Sequence, residues 1–88
     1  SLMLPSSFNF FNRRLNMYYF ICQDTLYHSD FFSSKEEMIN QLKTDYKLYI
    51  LFEYIYKHIS FTDFKTDYGF YKVTHGSKEH EDNEEVSI

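Results

Sequence analysis

Aromatic side chains constrain this chain more than any other feature: ten Phe and nine Tyr stand among 88 residues, against no Trp, two Gly and one Pro. All nineteen aromatic residues lie before Lys72. A chain this short makes at most one domain and buries a modest share of its surface. Large rings offset that, because each buries roughly 150–250 Å² and ring pairs add a little beyond area. The phenolic hydroxyls must also reach water or a partner, so a small domain cannot hide every tyrosine. Some are therefore expected at the surface or in a subunit contact, which is a second route to stability for a small core.

The net charge of −4 is unevenly placed. Residues 1–77 hold eight Lys/Arg and eight Asp/Glu; the excess comes from Glu79, Glu81, Asp82, Glu84 and Glu85, opposed by Lys78. A balanced body argues against a general polyanion binder, which needs clustered basic charge. The single cysteine, Cys22, excludes an intrachain disulfide and suits a reducing compartment. It lies in Tyr-Tyr-Phe-Ile-Cys, where a buried, inert thiol is expected, since no electropositive neighbour is visible. No apolar run approaches the roughly 18–20 residues that span a bilayer, and the first residues lack a signal-peptide pattern. A cytoplasmic protein without membrane association is the expectation.

Residues 1–16 read as an N-terminal arm, with Phe8, Phe11 and Leu15 at helical spacing, and 17–75 as one domain. Residues 17–23 suit a strand, and Leu26–Phe31 can return beside it as a hairpin across Gln23-Asp24-Thr25. Two overlapping capping boxes follow, Ser33/Glu36 and Ser34/Glu37, in which hydroxyl and carboxylate satisfy orphan N–H groups. Met38, Ile39, Leu42 and Tyr46 then share one face, so a helix is predicted over 34–45. Residues 58–67 form a connection anchored by Phe61 and Phe64, with turn-prone Thr-Asp pairs. From Gly76 onward the composition cannot bury enough apolar surface to order itself, so 76–88 is expected to be an acidic flexible tail.

Residues 47–57 decide the architecture. As a helix, Leu48, Leu51, Phe52, Ile55 and Tyr56 spread around the circumference. As a strand, Leu48, Ile50, Phe52, Tyr54 and Tyr56 fall on one face. Aromatic and Ile content favours the strand. An internal echo points the same way: Lys43-Thr44-Asp45-Tyr46 recurs as Lys65-Thr66-Asp67-Tyr68, and the second copy runs into a strand-like Gly69-Phe70-Tyr71-Lys72-Val73. The expected fold is therefore α+β, a small antiparallel sheet in the order ββαββ with one helix packed on one face. Its strands are the hairpin (17–31), 47–57 and 69–74. The expected core is Phe20, Cys22, Leu26, Met38, Leu42, Leu48, Ile50, Phe52, Phe70 and Val73.

Chemistry-bearing constellations are weak. His75 and His80 beside Glu79 and Glu81 could hold a metal loosely, but they lie in the tail, so no metal or other cofactor is expected. His28 between Asp24 and Asp30, and His58 with Asp63 or Asp67 and Ser60 or Thr62, suggest acid–base pairs by proximity alone. Two glycines cannot build a phosphate loop. No catalytic residue is assigned, and a non-enzymatic protein-interaction module is the favoured reading. It is expected to form a homodimer and to bind another protein through an aromatic face of Tyr49, Tyr54, Tyr56, Tyr68 and Tyr71. The alternative is a single-stranded nucleic-acid binder that adds Lys47, Lys57, Lys65 and Lys72 to those rings, with Arg13-Arg14 as a further phosphate contact.

Overall fold

The computed structural model describes residues 14–53, 59–74 and 82–88. Their elements are strands β1 (Tyr18–Cys22) and β2 (Tyr27–His28), helix α1 (Lys35–Glu53), a one-turn helix α2 (Phe61–Phe64) continued by a 3-10 turn (Lys65–Asp67), and strands β3 (Tyr68–Lys72) and β4 (Glu84–Glu85). The four strands form one antiparallel sheet in the order β2-β1-β3-β4. This is the expected α+β class and ββαββ order, built from partly different segments.

The sheet's centre is the β1–β3 pair, with Phe20 opposite Phe70 and Cys22 opposite Tyr68. Backbone bonds carry the pairing past both ends, from Val73 N–H to the Met17 carbonyl (2.8 Å) and from Gln23 N–H to the Asp67 carbonyl (2.8 Å). On β1's other side the hairpin pairs Ile21 with His28, and Tyr18 then bridges to Phe32. Three residue steps on that side, Ser29 to Phe32, match two on β1, so the returning chain holds a bulge. Ser29 makes it possible. Its buried hydroxyl accepts the Phe20 N–H (2.8 Å) and donates to the Asp30 carbonyl (2.8 Å), replacing a ladder bond. Phe32 is thereby aimed at the helix side, where it stacks on Phe20 with centroids 6.1 Å apart.

Ser34 caps α1: its hydroxyl accepts the Glu37 N–H at 3.1 Å. Glu37 reaches back one residue further than a capping box requires, accepting from the Ser33 N–H (3.2 Å) and hydroxyl (2.7 Å). The helix does not stop at residue 45. It runs to Glu53, which overturns the strand expected over 47–57 as far as residue 53; residues 54–57 lie outside the described ones. Thr44 and Asp45 bond within the helix, Thr44 donating to the Asn40 carbonyl (3.1 Å) and Asp45 accepting from the Gln41 amide (3.0 Å). Leu, Lys and Glu supply helix propensity, and no Gly or Pro interrupts the stretch. The two Lys-Thr-Asp-Tyr copies thus adopt different structures. The first lies inside α1; the second forms the 3-10 turn and opens β3. Tertiary context, above all the Ser60 cap that restarts the chain at α2, decides between them.

Met38, Leu42, Phe20, Phe64 and Phe70 form the buried core between α1 and the sheet. Tyr46 closes one end, its hydroxyl donating to the Ile59 carbonyl at 2.7 Å. Ser60 caps α2 by accepting the Asp63 N–H at 3.1 Å, which sets Phe64 into the core. The expected core is corrected at five positions: Leu26, Leu48 and Phe52 are exposed, and Cys22 and Ile50 are half-buried. A second correction concerns residues 82–88 of the expected flexible tail, residues 76–81 lying outside the described ones. Residues 84–85 pair with β3, and the Val86 N–H donates to the Phe70 carbonyl (2.8 Å). Alternation explains this. Val86 and Ile88 fall on the helix side and pack against the core, while the acidic residues around them hide that pattern from a compositional reading.

Candidate functional site

The face of the sheet away from α1 carries its own aromatic cluster. Tyr19 is only 1% exposed there. His28 stacks on it at 4.6 Å, Tyr71 at 5.4 Å, and Phe31 meets it edge-on at 5.5 Å. The Arg14 guanidinium lies 4.8 Å from the Phe31 centroid. Gly69 leaves room for this cluster: a Cβ there would lie 2.8 Å from the Tyr71 hydroxyl, so the Tyr71 ring folds across a position that only glycine leaves open. Among the described residues this face is a filled aromatic layer.

Exposed apolar surface lies elsewhere. Leu48 (48% exposed), Leu51 (63%) and Phe52 (75%) stand at i, i+3 and i+4 on α1, and Tyr27 (57%) projects from β2. Core-facing Met38, Leu42, Tyr46 and Tyr49 occupy the neighbouring side of the helix. The second half of α1 is therefore apolar on two sides, which is why its helical periodicity is blurred. Between this half of α1 and the sheet lies a groove of about 420 Å³, lined by Tyr27, Tyr49, Phe52, Phe64 and Tyr68, with Leu48 and Asp45 at its walls. Tyr49 and Tyr68 pack on Phe64 at 5.4 and 5.2 Å. A smaller cavity of about 150 Å³ adjoins it, sharing Tyr27 and Asp45 and adding Asp30, Ser29 and Gln41.

Electrostatics at the groove's floor are distinctive. Burial above all, then the nearby charges of Cys22 and Asp45, push the Tyr68 hydroxyl up to about 12, so it stays a neutral phenol. Burial also raises the Cys22 thiol, but hydrogen bonds from the Thr25 hydroxyl and from the Thr25 and Asp24 backbone outweigh it. The thiol lies below its ordinary value of 9.0. The buried thiol expected from the sequence is half-buried, and its donors are the Thr25 hydroxyl and two backbone groups of the turn.

The structure separates the residues proposed for an aromatic platform. Tyr49 and Tyr68 line the groove, Tyr71 lies on the opposite face of the sheet, and Tyr54, Tyr56 and Lys57 fall outside the described residues. Lys47 is exposed on α1, Lys65 donates to the Ile88 backbone oxygen (3.1 Å), and Lys72 stands opposite Glu84, 5.9 Å from the Tyr18 centroid. No common basic-aromatic face results among the described residues. Of the weak acid–base pairs, His28 spends Nδ1 on the Ser29 carbonyl (2.6 Å) and Ser60 serves as a helix cap, while His58 falls outside the described residues. The same holds for His75, Glu79, His80, Glu81 and Arg13. No cluster of three potential metal ligands occurs among the described residues, and none of their helices is long and apolar enough to cross a membrane. The groove was not anticipated, because Tyr27, Phe52, Phe64 and Tyr68 come from four elements brought together only by the fold. Compared with known protein families, curated proteins and solved structures, the chain matches none.

Proposed function

We propose that this domain is a non-enzymatic protein-interaction module that self-associates through the outer side of α1. The observation that carries the reading is the exposed stripe of Leu48, Leu51 and Phe52, with exposed Tyr27 across the groove that Leu48 and Phe52 help to line. Contiguous exposed apolar patches mark contact surfaces, and a straight helical stripe is self-complementary about a two-fold axis. Such a pairing covers three large side chains from each copy. Each contributes roughly 1.5–3 kcal/mol when fully buried, against an association cost of at least about 4 kcal/mol. The balance favours a reversible dimer. Sedimentation velocity on the full chain and on Leu51→Asp tests it. A concentration-dependent dimer that the substitution abolishes supports the reading, and a wild-type monomer at every concentration refutes it. The scattering of the tyrosines and lysines favours this reading over single-stranded nucleic-acid binding.

A further inference from the structure

We propose that the groove between α1 and the sheet is a receptor for a quaternary ammonium group carried by a small soluble ligand. Five rings from four elements converge there: Tyr27 from β2, Tyr49 and Phe52 from α1, Phe64 from α2 and Tyr68 from β3. Aromatic faces carry negative quadrupole density and attract cations within about 6 Å. Asp45, half-buried at the wall and held by the Gln41 amide at 3.0 Å, adds a full negative charge. The adjoining cavity supplies Asp30, and among the described residues neither cavity is lined by Lys, Arg or His.

This chemistry discriminates between ligand classes. An anion meets repulsion from Asp45 and the ring faces. A purely apolar ligand would desolvate Asp45 without compensating it, at a cost that grows with its burial. A bare ammonium is compact and strongly hydrated, so it loses much on entering an apolar groove. An alkylated ammonium spreads its charge under a methyl skin, which suits rings and a carboxylate together. A groove of about 420 Å³ is also within the ordinary range for small-ligand sites. The groove shares Leu48, Phe52 and Tyr27 with the proposed contact surface, so a ligand and a second copy compete for it; Leu51 does not line the groove and is the position that separates the two readings.

The test is an amide-resolved NMR titration of the full chain with choline and with its uncharged isostere, 3,3-dimethylbutan-1-ol. Saturable shifts at residues 45–52 and 64–68 are expected with choline, and binding of the isostere about tenfold weaker or worse. Asp45→Asn, which keeps an acceptor for Gln41, should weaken choline severalfold. Phe52→Ala, at an exposed position where folding is not at risk, should do the same. Equal binding of the isostere, absence of saturable shifts, or indifference to both substitutions would overturn the proposal. A trimethyl-lysine peptide binding more than tenfold tighter than choline would overturn the assignment to a small ligand. Repeating the titration on Leu51→Asp separates the two readings: groove binding persists there even if the dimer is lost.

Discussion

The Tyr19 hydroxyl accepts a 3.1 Å hydrogen bond from the Asn83 side-chain amide, joining the buried centre of β1 to the segment that leads into β4. The same Asn83 accepts the Thr74 N–H at 3.2 Å. One side chain thus fastens the end of β3, the aromatic layer and the closing strand. Asn83→Ala should therefore lower unfolding free energy by about 1–2 kcal/mol. Urea denaturation measures it, and hydrogen exchange should show faster opening at Val86 than at Phe70.

Leu26 sits in the hairpin with φ of 58° and is 79% exposed. A left-handed conformation costs a non-glycine residue roughly 1–2 kcal/mol, and packing repays none of it here. Asn tolerates this region far better, so Leu26→Asn should stabilise the domain by about 0.5–1 kcal/mol. A raised urea midpoint with unchanged slope is the expected outcome.

Gly69 and Tyr71 form a coupled pair. Gly69→Ala drives a Cβ against the Tyr71 ring, which is itself stacked on Tyr19. A loss of about 1 kcal/mol is expected in the wild-type background. In a Tyr71→Ala background the obstacle is gone and alanine should be neutral or better. A double-mutant cycle reads the coupling directly.

Tyr68 predicts a pH dependence at the alkaline end. Its hydroxyl is pushed from an ordinary 10.0 up to about 12 in the folded state, so the folded chain holds a proton that the unfolded chain has lost between those values. The stability contribution is fully present below pH 10.0 and is lost as pH rises toward about 12. Tyr68→Phe should remove this component of the alkaline fall. Absorbance titration of the tyrosinates should lose a late-titrating component in the variant.

The fold was legible where local chemistry agrees with tertiary packing. The Ser34 cap, the Met38/Leu42 face and the β1 run all declare themselves by spacing. Residues 47–53 misled because Leu48, Leu51 and Phe52 add apolar groups to the side of α1 that the core does not use. A helix with two apolar sides loses its periodic signature, and aromatic content then suggests a strand. Glu84 and Glu85 misled in the opposite sense: charge masked the alternation of Val86 and Ile88. The groove was illegible because its rings come from distant segments. The surplus apolar side of α1 ties these together, since what obscured the helix in the sequence is the side that the proposed self-association uses.

That surplus side is tested most directly by isotope-filtered NMR on a mixture of labelled and unlabelled chains. Intermolecular contacts should arise from Leu48, Leu51 and Phe52 and should vanish in Leu51→Asp. Contacts confined to the Tyr19–Tyr71 face, or none at concentrations well above the wild-type dissociation range, would contradict the account.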